Sequence, residues 1–288
     1  MNKRILIIDC NYLCYRALYS TGELSHDGAK TGTFFGFFKE VVNLTHLFKT
    51  PHIVFCWDYG LNKRYQIYPK YKEKRKETKE NYTKEEKRIF RAFNKQVKYI
   101  REVALPKIGY INNFYQKGYE SDDMIASVCN HFNIWSKPWS TIIVTADHDL
   151  FQLINKHTSV YNPHKKERLT RLRFKKRYGI SPKKWVEVKS MAGCSSDNIK
   201  GIEGIGEKTA IKYLLGQLKE SSVACKKIES KKGQRIIKKN KKITKLPLEG
   251  VQDFTLLPDH FEKREWTRQM KKHGVRTLSK YLPLNIES

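Results

Sequence analysis

"TIIVTADHD", residues 141–149, is the clearest pointer to the fold. It is a short apolar run that turns abruptly acidic at Asp147 and Asp149. Such a run reads as a buried strand that stops where its carboxylates begin. Two others behave alike: "ILIID" (5–9) ends on Asp9, and "HIVFCWD" (52–58) ends on Asp58. Between them lie amphipathic helical stretches, such as 33–48, with apolar Phe34, Phe37, Phe38, Val41, Val42, Leu44 and Leu47. Strands alternating with helices predict an α/β fold with a central parallel sheet. Ligands of such sheets bind outside the carboxyl ends of the strands, and these acids sit at that edge.

"YESDDMIA" adds Glu120, Asp122 and Asp123 at the start of a helix expected over 121–132. Capping would account for any one of them, because acids are favoured near a helix N-terminus. It does not account for the set. Asp147 and Asp149 are two apart and point the same way from an extended segment. Seven carboxylates gathered at one edge repel unless cations neutralise them. Hard divalent ions with oxygen ligands suit them, Mg²⁺ or Mn²⁺ best. Beside a phosphate-binding surface, such ions imply phosphodiester hydrolysis. They would supply a hydroxide nucleophile and neutralise the scissile phosphate and leaving oxygen. No pattern suggests a covalent Ser or Cys nucleophile. His148, between two of the acids, is a lesser candidate.

The charge balance agrees. Lys and Arg number 57 against 29 Asp and Glu, a net charge of +28. A folded chain so basic expects a polyanion, with nucleic acid the first candidate and an anionic membrane the second. The plain alternative is a host with a basic proteome. The 16 Tyr and 14 Phe rule out a disordered composition. Six cysteines (10, 14, 56, 129, 194, 225) form no C-x-x-C pair, which argues against a zinc ribbon or redox motif, and their irregular spacing argues for reduced thiols. No signal peptide and no 18-residue apolar stretch is visible, so a cytoplasmic protein without a membrane partner is expected.

The positive charge is concentrated. Residues 62–101 interleave Lys and Arg with Tyr and lack Gly. A solvated helix would look similar, but this mixture also suits phosphate contact with base stacking. From about 174 the pattern is helical with short loops. A second basic block, 226–245, reads equally as a mobile loop or a phosphate-tracking surface. "GIEGIG" (201–206) is not a dinucleotide fingerprint, since its spacing is reversed and no strand precedes it. With "SSDNIK" and "EKTAIKYLL" read as helical flanks, it becomes a glycine turn between helices. Gly201, Gly204 and Gly206 would then aim backbone N–H groups at a phosphate. Lys208 and Lys212 add charge on one helix face.

Together these residues resemble the 5′-nuclease superfamily, specifically the bacterial and bacteriophage flap endonucleases and the 5′-nuclease domain of bacterial DNA polymerase I. The resemblance covers most of 4–215 and implies a PIN-like or resolvase-like sheet. "IIDCNYLCYRA" is similar to the first family motif, with Asp9 as metal ligand and Arg16 as phosphate contact. "RYQIYPKYKEKR" places Arg64, Tyr71, Lys72 and Arg75 at the base of a helical arch (about 65–100) that passes single-stranded 5′ ends. Lys72 is implied as a stabiliser of the reacting phosphate. "SDNIKGIEGIGEK" is similar to the helix–hairpin–helix-type element, about 190–215. That element grips duplex DNA and often holds a monovalent cation, here K⁺, on backbone carbonyls.

One position departs from the family pattern. Where that pattern has G-D-x-x-D-N, this chain reads "GCSSDN" (193–198), so Cys194 replaces a second-metal carboxylate. Thiolate is a poor ligand for Mg²⁺. Two ions are expected, the second weaker or dependent on Asp147, Asp149 and Asp197. The resulting expectation is a core over 1–173 that includes the arch, and a duplex-binding region over 174–288. The expected activity is divalent-metal-dependent 5′→3′ exonuclease and 5′-flap endonuclease action on DNA in replication or repair. RNA–DNA hybrids are a further substrate. A freestanding, monomeric, phage-type enzyme fits this length. The rivals are a DNA-structure-binding protein with lost activity and a PIN-type RNA nuclease.

Overall fold

The computed structural model describes residues 3–133 and 139–284. β1 (Arg4–Asp9) leads directly into α1 (Cys10–Thr21). A short ribbon, β2 (Ser25–His26) and β3 (Ala29–Lys30), precedes α2 (Gly32–Phe48) and β4 (Ile53–Cys56). Next come α3 (Arg64–Ile67), α4 (Glu73–Glu80) and α5 (Lys84–Tyr99), which runs through a π turn into α6 (Leu105–Ile108). β5 (Asn113–Phe114), α7 (Ser121–Asn133), β6 (Ser140–Val144), β7 (Thr158–Asn162) and β8 (Glu167–Leu169) follow. The rest comprises α8 (Arg171–Tyr178), α9 (Trp185–Ala192), the ribbon β9 (Gly193–Cys194) and β10 (Ile199–Lys200), and α10 (Glu207–Leu214). After these come α11 (Val223–Glu229), α12 (Lys231–Thr244), α13 (Lys263–Lys272) and α14 (Arg276–Lys280).

The main sheet has the order β5-β4-β1-β6-β7-β8. It is parallel except for β8. The three strands expected from the apolar runs are neighbours, with β4 and β6 flanking β1. Asp9 pairs in register with Cys56, and Ile8 with Val144. The acids that end these runs therefore leave the sheet side by side. Alternation sorts the apolar residues onto two faces. Leu6, Ile8, Phe55, Ile142 and Val144 face one core, and Ile5, Ile7, Val54 and Ile143 face the other. Both faces are covered, which is why the runs are apolar at every position.

Three expectations need correction. The boundary at 173/174 is not a packing boundary. Trp266 of α13 packs edge-on to Phe38 of α2, centroids 5.4 Å apart, and donates its indole N–H to Leu278 O at 2.7 Å. The C-terminal helices thus complete the core that α2 begins. The basic block 226–245 is not a loop: it forms the end of α11 and all of α12, which buries Gly233, Asn240, Ile243 and Thr244. "SSDNIK" is not helical either, but makes the turn and second strand of the β9–β10 ribbon. Asn198 sits there at φ +58°, a conformation asparagine tolerates in turns and helices exclude.

Candidate active site

Asp9 is the centre of the cleft. It ends β1, caps α1, and is only 6% exposed. Its carboxylate accepts from Tyr12 N (3.1 Å), Ser121 Oγ (3.1 Å) and Thr145 Oγ1 (2.9 Å). Burial, and next the charge of Asp58, push its pKa up to about 7. Asp58 accepts from Ser121 N at 2.8 Å, and burial followed by Glu120 raises it too. Asp122, in the first turn of α7, is raised well above its ordinary value by burial and then by Asp147, Asp9 and Glu120. Asp147 caps the 3₁₀ turn after β6 and accepts from Asp149 N at 2.7 Å. The carboxylates that sequence reading gathered from four segments therefore feel one another. Sequence reading missed Ser121 and Thr145, the hydroxyls that orient Asp9, because neither belongs to a charged pattern.

Glu120 is the exception to the upward shifts. Burial raises it, but Lys72 and Arg64 outweigh burial and hold it below its ordinary value. Lys72 Nζ is ion-paired to its Oε1, and Tyr71 donates to Oε2 at 2.7 Å. Lys72 itself stands at φ +52°, the left-handed region, just ahead of α4. Strain of this kind persists only where surroundings fix it. Here Lys72 N donates to Asp197 O at 2.9 Å. Arg75 Nη2 reaches Asp197 at 2.7 Å, and Asn198 Nδ2 donates to Lys70 O at 2.9 Å. The basic segment is thereby fastened to the β9–β10 turn.

Four residues named from the sequence have other duties. Asp123 is fully buried and grips Arg64 through two bonds, Nη1 to Oδ2 at 2.6 Å and Nη2 to Oδ1 at 2.8 Å. It also accepts from Leu248 N (2.8 Å) and Glu120 N (3.2 Å). Its oxygens are committed to the protein, so it is not placed as a metal ligand. Arg64 and Tyr71, expected as DNA contacts, are each 3% exposed and face inward. Both order Glu120 instead. His148 stacks on Phe151 (4.6 Å) rather than reaching into the cleft.

Asp149, Cys194 and Asp197 form the tightest set of potential ligands among the described residues. One ligand atom from each lies within 4.8 Å of the others. Asp149 Oδ1 is sealed from solvent without a properly aligned hydrogen-bond donor. Lys189 Nζ lies 3.1 Å from it as an ion pair, and 3.3 Å from Glu207 Oε1. Burial and then Asp147 raise Asp149 to about 6. Two carboxylates and a thiol converging here are a donor set for a divalent cation, with Lys189 as the positive charge that meets Asp149 in this structure. Lys189 was not foreseen. Its one signal was a lone cation between the apolar residues of "WVEVKSMA" (185–192).

On the outer side, Arg16 is half-exposed and pairs with Glu40 at 3.0 Å. Lys208 and Lys212 are exposed on α10. Ile202 and Ile205 are buried and anchor the glycine turn from below. The glycines differ in kind. A Cβ on Gly201 would strike Ala192 O at 2.2 Å, and Gly204 sits at φ +78°. Gly206 has open space around it and an ordinary φ of −94°. It is the N-cap of α10, whose first N–H groups have no side-chain cap.

A family model described as 5′-3′ exonuclease, N-terminal resolvase-like domain, matches residues 4–179. A 5′-3′ exonuclease of Aquifex aeolicus (strain VF5) is 30% identical over 214 residues, covering 74% of this chain and 69% of that one. The 5′-3′ exonuclease of Bacillus subtilis (strain 168) is 29% identical, covering 74% and 70%. DNA polymerase I of Mycobacterium tuberculosis (strain ATCC 25618 / H37Rv) is 27% identical across 92% of this chain, which spans 29% of the polymerase. A solved structure of the bacteriophage T5 5′-exonuclease with zinc ions superposes with TM-score 0.69 at 19% identity, covering 85% of this chain and 90% of that one. The catalytic core of Rad2 with DNA substrate superposes with TM-score 0.53 at 17% identity, covering 95% and 88%. These two likenesses establish the fold.

Proposed function

The chain belongs to the 5′-3′ exonuclease family, and we propose that its cleft cuts 5′ ends and 5′ flaps of DNA with Mg²⁺ as the working ion. The family assignment makes it a structure-specific 5′ nuclease that hydrolyses phosphodiester bonds with divalent metal. One observation carries the detailed reading: buried acids from β1, α7 and the segments after β4 and β6 shift one another upward in pKa without enough cations to neutralise them. Such a cluster is costly unless positive charge arrives from outside. Asp9, Asp58, Asp122 and Asp147 would hold one ion, joined by Glu120 as Lys72 turns from it to the phosphate, and Asp149, Asp197 and Cys194 would hold the second. Bound there, divalent ions would lower the pKa of an attacking water and neutralise charge on the phosphate.

The chain's own groups supply the rest. Lys72, held at the mouth by Glu120, offers its positive charge to the phosphate. Arg75 beside it is half-exposed and free to meet an adjacent phosphate as it exchanges from Asp197. The α4–α5 segment, basic and weakly buried, passes the single strand. The uncapped start of α10 at Gly206, with Lys208 and Lys212, grips the duplex backbone. The same turn holds K⁺ on its carbonyls. RNA–DNA hybrids are a further substrate of the same cleft. The protein works as a cytoplasmic monomer in replication or repair. No helix among the described residues is long and apolar enough to cross a membrane.

The test is cleavage of a 5′-flap duplex titrated with Mg²⁺ and Mn²⁺, with binding measured in Ca²⁺. Flap cleavage near the junction is expected. Binding without cleavage in either metal would overturn the assignment.

A further inference from the structure

We infer that the second ion position is a thiolate–carboxylate site that prefers a softer divalent cation, of the Zn²⁺ or Co²⁺ kind, to Mg²⁺. The inference rests on reading the cleft as a hydrolytic metal centre, and it concerns what Cys194 does there. Three observations carry it. Cys194 Sγ, Asp149 and Asp197 offer atoms within 4.8 Å of one another. A Zn²⁺ ion lies about 2.3 Å from a thiolate and about 2.0–2.2 Å from a carboxylate oxygen, which a set of this size accommodates with small adjustment. Cys194 is also the one cysteine among the described residues that is not buried; the other five are packed in the interior. Finally, Ser196 Oγ stands 3.0 Å from Sγ, placed to donate to a thiolate as outer partners of metal ligands do.

The donor set then decides the ion. Mg²⁺ demands near-octahedral oxygen ligands and sheds water reluctantly. Exchanging an oxygen for sulfur removes a hard ligand and leaves a vacancy Mg²⁺ fills only with water. For Zn²⁺, Co²⁺ or Cd²⁺ the same exchange adds a ligand of matching softness. The thiol gives its proton to solvent as the metal–sulfur bond forms, so charge and atoms balance without a redox partner. The cleft would therefore hold unlike ions: a hard one on the oxygen ligands near Asp9 and Asp122, and a softer one at Cys194.

The experiment uses the full chain, stripped with chelator and titrated with Co²⁺ while near-ultraviolet absorbance is followed. A sulfur-to-cobalt charge-transfer band is expected. It should vanish in Cys194→Ser and in Cys194→Asp, with far-ultraviolet circular dichroism unchanged. Calorimetry should show Co²⁺ affinity at this site falling by ~10-fold or more in Cys194→Ser, the loss seen even when an outer partner is removed. Cys194→Asp should instead tighten Mg²⁺ binding. Co²⁺ binding without the band, a band that survives Cys194→Ser, or no Co²⁺ binding would each overturn the inference. Flap cleavage is scored separately. Cleavage without a band leaves the nuclease reading standing, and a band without cleavage leaves the metal site standing.

Discussion

Arg64 and Asp123 form a two-bond ion pair beneath the cleft, with Arg64 3% exposed and Asp123 fully buried. Two adjacent acids on one helix thus have opposite duties: Asp122 faces the carboxylate cluster, and Asp123 holds the floor. Breaking the pair should unfold rather than inactivate. Asp123→Ala strips buried Arg64 of its two-bond partner and leaves it only the longer ion pair to Glu120 at 3.4 Å, which costs up to about 3–5 kcal/mol. A melting temperature roughly 10 °C lower is expected, at about 2–4 °C per kcal/mol for a chain of this size. An unchanged melting temperature would return Asp123 to the metal set.

Asp122→Asn should behave in the opposite way. It removes a charge that its neighbours resist, so metal-free stability is expected to hold or rise. Hydrolysis should be abolished while flap binding in Ca²⁺ stays within about threefold, since the duplex grip lies elsewhere. Gel shift and single-turnover cleavage on one substrate check both halves. Near-normal turnover would remove Asp122 from the reaction.

The raised carboxylates give a pH signature. Asp9 ionises near 7 in the folded protein but at an ordinary 3.8 when unfolded, through burial and then Asp58. Asp149 is raised to about 6. Between these values the folded state keeps protons that the unfolded state has released. Stability from this cluster is thus highest below pH 4 and is lost as pH rises towards 7. His52, His148 and His273, all lowered by burial, act in the other direction. The clean measurement is therefore the difference between wild type and Asp9→Asn without metal. Wild type should lose ground to the variant from about pH 4 to pH 7, and divalent ions should reverse that loss. A difference independent of pH would refute the shift.

Lys72→Ala should cut single-turnover cleavage about 10²–10³-fold, the scale of losing one pre-aimed electrostatic donor. Flap affinity should change much less, because Lys72 is one cation among many. Equal losses in binding and rate would mean that Lys72 only holds substrate.

The glycines separate by variant. Gly201→Ala should destabilise, because its Cβ meets the Ala192 carbonyl at 2.2 Å. Gly206→Ala should lower the melting temperature only slightly, since space is open and φ ordinary and only the N-cap preference for glycine over alanine is lost. Its effect should be weaker duplex binding, as a methyl group intrudes between the α10 N–H groups and a phosphate. Unaltered affinity would mean that the duplex backbone does not approach Gly206.

The kind of sheet, and the edge that carries its chemistry, were legible in the residues alone. Three apolar runs ending in Asp9, Asp58 and Asp147 read as strands buried on both faces of a parallel sheet, which brings their carboxyl ends to one edge; that the three are neighbours is seen only in the fold. The sequence also exposed Cys194 as a foreign donor in a carboxylate motif. Which acids face the cleft was left to the tertiary structure. Asp122 and Asp123 are adjacent and chemically alike, and only the 59-residue separation closed by Arg64 tells them apart. Lys189 likewise reads as an ordinary helical lysine until α9 lies against Asp149. Hydrophobic periodicity is local and survives in the sequence. The pairing of a buried charge depends on what distant chain supplies, and appears only once the chain has folded.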